Sequence, residues 1–181
     1  MLVGGGCFGS DAAPVDEGPV EIDRDAILFE AKQQGLIMSD DESAQMVEGV
    51  AEDAGSTPEG IEQYLNQDFS EWSSAALADV TGGGSYGIAH AAFISGQYQL
   101  VVEMGNVPDL AEGYFYEGWI VRRGANMSVI STGVAEIVGD KLVNVYMSST
   151  NLTDHDFYVL TLEPDDGDPA PAEHILEGTL K

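Results

Sequence analysis

From Ala75 onward, apolar and polar residues alternate with a period of two, in short runs separated by Gly, Asn and Asp. That pattern is the mark of strands with one wet face, joined by tight turns. It predicts strands over Ala75–Val80, Tyr86–Ile94, Gln97–Met104, Phe115–Val121, Met127–Ile137, Lys141–Met147, Phe157–Leu162 and His174–Leu180. Gly96, Gly124, Gly139 and Gly167 fall between them, where turns call for positive φ. No run has the length and phase of a crossover helix, so seven or eight short strands point to an antiparallel β-sandwich or barrel. The fold class expected is mostly β, over residues 75–181.

Residues 21–72 carry a different period. Ile22, Ala26, Ile27, Leu28, Phe29 and Ala31 form an apolar helical face that Gly35 would cap. Ser39-Asp40-Asp41-Glu42 has capping-box spacing and introduces Met46, Val47 and Val50, a helix expected to end near Gly55. Thr57-Pro58-Glu59 reads as a third start, with Pro at the first helical position and Ile61, Tyr64 and Leu65 on its face. A small unit of short α-helices therefore precedes the strands. Residues 1–20, rich in Gly, Pro and Asp without sustained period, read as a flexible leader.

Charge narrows the function. The 181 residues hold 32 Asp and Glu against 6 Lys and Arg, a formal charge of −26. Neutralising phosphates needs a basic face, so nucleic acid is excluded as a partner. The helical unit, whose only bases are Arg24 and Lys32, is no DNA reader despite its short helices. With 44% apolar residues the chain is built to fold, and no apolar run approaches the ~18 residues that span a bilayer. The single cysteine, Cys7, excludes an intrachain disulfide.

Gly5-Gly6-Cys7 resembles the end of a bacterial lipoprotein signal, with Cys7 as the acylated residue and the acidic stretch after it as a tether. Met1-Leu2-Val3 is too short for the apolar part of such a signal, so this reading needs a start called too late or a trimmed chain, and a cytosolic chain with a glycine-rich start is the alternative.

The remaining chemistry is sparse. His90, His155 and His174 form no His-x-x-x-His or Glu-x-x-His pair, and each reads first as a packing or edge residue. Asp154-His155-Asp156 could hold a cation or orient an imidazole, but the sequence fixes no third group and a solvated turn is the plainer reading. The acids Glu163, Asp165, Asp166 and Asp168 are the best metal candidates, since hard oxygen ligands along a turn suit calcium. They lack the order of the helical calcium loop, and a solvated hairpin competes. Gly82-Gly83-Gly84-Ser85-Tyr86-Gly87 has no following helix and reads as a loose turn, neither nucleophile elbow nor phosphate loop. With 32 acids, chance carboxylate pairs are unavoidable and name no glycosidase. Asn126-Met127-Ser128 and Asn151-Leu152-Thr153 match the glycosylation triplet and carry weight only alongside an export route.

Tyr114-Phe115-Tyr116-Glu117-Gly118-Trp119-Ile120-Val121, then Ser131-Thr132-Gly133, then Leu160-Thr161-Leu162-Glu163-Pro164 with Pro169-Ala170-Pro171, resembles a known set. In their order and spacing these motifs resemble the extracytoplasmic C-terminal domain of the anti-sigma-K factor family, over about residues 76–180. The resemblance implies a sandwich fold, an extracytoplasmic setting and a protein partner at the cell envelope. Sigma-factor inhibition does not carry over, because no spanning segment separates the helical unit from the strands. Trp119, flanked by Phe115 and Tyr116, is expected as the central anchor of the sandwich core. The function expected is a non-enzymatic binding or sensing module of the envelope, with no catalytic residues and no cofactor beyond calcium. A structural or adhesive surface protein is the alternative, and a metal-dependent hydrolase stands third.

Overall fold

The computed structural model describes residues 23–53 and 55–181. Nine strands form: β1 Ser73–Asp79, β2 Tyr86–Ile94, β3 Gln97–Gly105, β4 Tyr114–Arg122, β5 Ser128–Val134, β6 Glu136–Val138, β7 Lys141–Ser148, β8 Phe157–Pro164 and β9 Glu173–Thr179. All pair antiparallel in one sheet of order β5-β4-β8-β9-β1-β2-β3-β7-β6. Gly96, Gly124, Gly139 and Gly167 all take positive φ in the turns. The run Met127–Ile137, expected as one strand, divides at Ala135, which brings the count to nine.

That division closes the molecule. β5 and β6 stand at opposite ends of the sheet yet are neighbours in the chain. The Ala135 amide donates to the Tyr116 carbonyl (2.8 Å), a last link to β4, and from Glu136 the chain pairs with β7 instead. One bent strand thus serves both ends, and the sheet curls into a nearly closed barrel. Alternation assigns the faces. Leu100, Val102, Ile120, Tyr158, Leu160 and Leu176 point inward and fill a single buried cluster. The opposite faces of the same strands carry two further clusters outside the wall.

Residues 24–72 cover those outer clusters. Helix α1 (Arg24–Gln33) begins at Asp23, whose carboxylate accepts the Ala26 amide. It ends with Gly35 at φ +66°, where the Leu36 amide reaches the Ala31 carbonyl and the Gly35 amide that of Lys32. The apolar face expected of α1 is only partly covered: Leu28 and Ala31 are half-buried, no residue of the helix is fully buried, and Ile27 and Phe29 are exposed. Helix α2 (Asp40–Met46) has the expected capping box between Ser39 and Glu42. It stops at Met46 rather than near Gly55, because Gly49 and Ala51 give their backbone groups to Val129 of β5. The third expected helix shrinks to one 3₁₀ turn, Ile61–Tyr64, since Gly60 takes a left-handed conformation that a helix begun at Pro58 could not pass through.

Met38 and Met46 pack on Trp119, Val121, Val129, Phe157 and Val159. Ile61 and Trp72 pack on Val101, Val143 and Val145. Trp119 is 2% exposed, but its place is this outer cluster beneath the helical segment, not the barrel interior. Its neighbours Tyr116 and Ile120 take the interior role that was expected of it.

Candidate functional site

Because strand 128–138 changes partners half-way, the wall opens on both sides of Ala135. Below it, β5 and β7 separate. Two devices bridge this seam. The first is a side chain: Asn144 of β7, 1% exposed, donates to the carbonyls of Thr132 and Gly133 (both 3.1 Å). Its Oδ1 accepts from the Thr132 hydroxyl (2.6 Å) and the Tyr158 hydroxyl (3.2 Å), so all four of its hydrogen bonds replace the missing ladder. The second is a strap. Val50 bridges Val129 in parallel and Ser56 bridges Met147 in antiparallel sense, carrying the chain across from β5 to β7. Gly55 fits because a Cβ there would overlap the ring of Tyr146.

Beneath the strap lies a cavity of about 440 Å³, lined by Asp53, Thr57, Ser131, Thr132, Gly133 and Tyr146 among others. Its wall is polar and mutually engaged. Asp53 accepts from the Tyr146 hydroxyl and, at 2.8 Å, from the Gly55 amide. Burial alone would raise the Asp53 carboxyl, but the hydroxyls of Tyr146, Ser148 and Thr150 and the Gly55 amide outweigh it and hold it below the ordinary range. The Ser131 hydroxyl donates to Glu117. Burial pushes the Glu117 carboxyl upward, Ser131 pulls it back, and the neighbouring Glu163 adds to the rise.

The sign for Asp53 gives a test. A carboxyl depressed in the fold contributes stability above its unfolded pKa and loses it as pH falls through the folded value. Acidification from about pH 4 downward should therefore loosen the strap before the barrel. Hydrogen exchange at residues 49–57 should accelerate ahead of β3, and Asp53→Asn should abolish that lead; exchange in step with β3 would contradict it.

The expected metal ligands are not brought together. Glu163 is buried, accepting from the Thr161 hydroxyl and the Ala172 amide (2.9 Å). Asp165, Asp166 and Asp168 are exposed in the turn beyond, where Asp166 accepts the Asp168 amide and Asp168 the Ala170 amide. Among the described residues no group of three or more His, Cys, Asp or Glu is placed to hold a metal ion. β8 ends at Pro164, so Glu163 stays in the buried part of the strand while the three aspartates lie in the exposed turn beyond it. Cys7 lies outside the described residues.

Each histidine is engaged. His90 stacks on Phe69 (centroids 4.2 Å apart) with Nδ1 at 2.8 Å from the Ser74 hydroxyl, and burial lowers its pKa against the pull of Glu103. His174 Nδ1 lies 2.6 Å from Glu177, a residue 3% exposed whose other oxygen accepts the Met38 amide (2.6 Å). That pair ties the helical segment to β9. His155 does find a third group: Nδ1 meets Asp154 at 2.8 Å and Nε2 meets the Ser128 hydroxyl at 3.1 Å.

The order Ser–His–Asp is that of a nucleophilic relay, but the burial is inverted. His155 is 4% exposed, while Asp154 lies open and ion-paired with Arg122 at 2.8 Å. Ser128 lines neither the seam cavity nor the opening on the other side of Ala135. The set ties the β7–β8 loop to the start of β5. Likewise the glycine turn after β1 is not loose: Asp79 accepts the amides of Thr81, Gly83 and Ser85 (2.9–3.1 Å). Arg24 binds the carbonyls of Gly82 and Gly83 from outside.

Asn144, Asp53 and Tyr146 carry no sequence motif. The one available signal was an Asn amid Val and Tyr in the apolar run Leu142–Tyr146. Comparison with protein-family models, curated proteins and solved structures gave no match.

Proposed function

We propose that the protein is a non-enzymatic binding or sensing module of the cell envelope, extracytoplasmic and lipid-tethered through Cys7. The seam cavity carries this reading: a space of about 440 Å³ with polar and apolar lining, beside a strap that two isolated bridges hold. A partner group entering there would press on the strap and, through it, on the helical segment anchored at Trp119. The resemblance of residues 76–180 to the anti-sigma-K factor C-terminal domain supports the envelope setting. The acidic surface suits a partner with basic groups. Among the described residues no helix is long and apolar enough to cross a membrane, so a lipid on Cys7 would supply the attachment.

The test is made on natively expressed protein. Mass spectrometry should find an acylated Cys7, and Cys7→Ser should move the protein from the membrane to the soluble fraction. Cross-linking in intact cells should then give one discrete envelope partner. An unmodified Cys7 in the cytosol would overturn the placement, and self-association alone would favour a structural surface protein.

A further inference from the structure

The opening on the other side of Ala135 is not strapped. Among the described residues β6 is the last strand of the sheet and pairs only with β7, which leaves its other edge open there. Ile137 lies opposite Leu142 in that pair and shares its face, the one that looks into the barrel. Leu142 is buried there, yet Ile137 is 77% exposed. An isoleucine on an inward face with nothing above it marks a place where the core is unfinished. Before it lies a cavity of about 250 Å³, lined by Met104, Val107, Pro108, Leu110, Tyr116 and Leu142 among others. Leu110 is itself exposed, as is Val134 just before the bend.

We propose that this mouth is a docking slot for an extended segment of a partner protein. The segment adds a short strand to β6, seats one apolar side chain over Ile137 and Leu142, and carries basic residues on either side. The chain itself shows how an opening in this wall is spanned by backbone pairing, since Val50 and Ser56 bridge Val129 and Met147 on the two sides of the gap below Ala135. Among the described residues no segment pairs with the free edge of β6. Strand addition satisfies an open edge through main-chain hydrogen bonds, while alternate side chains fill pockets. Charge selects the flanks. Asp109 and Asp140 line the slot, Glu136 precedes Ile137 on β6, and among the described lining residues the one base, Lys141, is paired with Glu103. A second copy, at −26, would be repelled.

The inference rests on the binding reading above and names the class of partner. The probe is a pool of fluorescent peptides of about nine residues, alternating Val and Lys around a central Leu, titrated against the full chain in fluorescence anisotropy. Binding should weaken by about tenfold or more in Ile137→Glu, a change at an exposed position that leaves the fold intact. It should weaken as much when the central Leu becomes Ser or Pro, and it should slow exchange at the amides of residues 136–138. No binding, or equal binding by Ile137→Glu or by the Ser peptide, overturns the proposal. So does full displacement by octanol, which would mark a slot for small apolar molecules, or a dimer that Ile137→Glu dissolves. Loss of the slot leaves the envelope partner and Cys7 acylation measurable in cells, whereas failure of those two leaves peptide binding in vitro measurable, so the two failures are distinguishable.

Discussion

Asn144→Leu should destabilise the protein by about 4 kcal/mol, read as a drop in the urea midpoint at unchanged slope. The substitution keeps the volume but leaves the carbonyls of Thr132 and Gly133 and the hydroxyls of Thr132 and Tyr158 short of a partner. Each unpaired buried group costs about 1–3 kcal/mol, and only partial relaxation toward the seam cavity brings the total down. Tyr158→Phe, which removes one hydroxyl from the set, should cost about 1 kcal/mol. Asn144→Asp should be worse at neutral pH than in acid, because the carboxylate cannot donate to the two carbonyls and is charged where the site is buried. Gly118→Ala belongs to the same experiment, since its added Cβ would overlap Asn144 Oδ1, the Thr132 hydroxyl and the Tyr158 hydroxyl. If Asn144→Leu stays within about 1 kcal/mol of the parent, the ladder-replacing role falls and closure rests on the strap alone.

The strands were legible because a half-buried ladder writes its period into the chain. Seven of the eight expected runs agree with the observed strands to within two residues at each end. The capping box at Ser39 was equally local, and it formed. What could not be read were features that depend on partners distant in sequence. The bend at Ala135 is invisible in Met127–Ile137, which alternates acceptably throughout; only the presence of β4 on one half and β7 on the other makes it a corner. Gly49–Ser56 looks helical up to Val50 because Val47 and Val50 keep a helical interval, yet Val50 and Ser56 are taken by bridges to Val129 of β5 and Met147 of β7. The site fared worse. Its main members, Asn144, Tyr146 and Asp53, are ordinary residue types whose meaning comes from the seam they span. The acids at 163–168 are neighbours in sequence, but the end of β8 leaves Glu163 buried and the three aspartates exposed, a difference that sequence distance alone does not display.

Trp119 is the sharpest case, and it sets the second large effect. Aromatic bulk in a strand reads as core, but the sheet has two apolar faces here, and period two cannot say which one is the barrel interior. Trp119→Ala should cost about 3–5 kcal/mol, as expected for emptying a buried indole site. The loss should be uneven. The indole packs on Met38, Met46, Phe157 and Val159, and its Nε1 donates to the Thr161 hydroxyl at 2.8 Å. With it gone, the helical segment loses its largest apolar contact and is left with polar ties, Met38 to Glu177, Gly35 to Arg123 and Arg24 to Gly82 and Gly83, and with the strap bridges. Amide exchange at Met38 and through α2 should then rise toward the unprotected rate, while Tyr98–Met104, inside the barrel wall, keeps its protection. Trp119→Phe should retain most of the packing and cost about 1–2 kcal/mol. Loss of protection in β3 at the same rate as in α2 would mean that the indole supports the interior after all, and that helix and barrel are one cooperative unit. The graded outcome instead makes Trp119 the joint through which a load on the strap at residues 50–56 reaches the helices beside it.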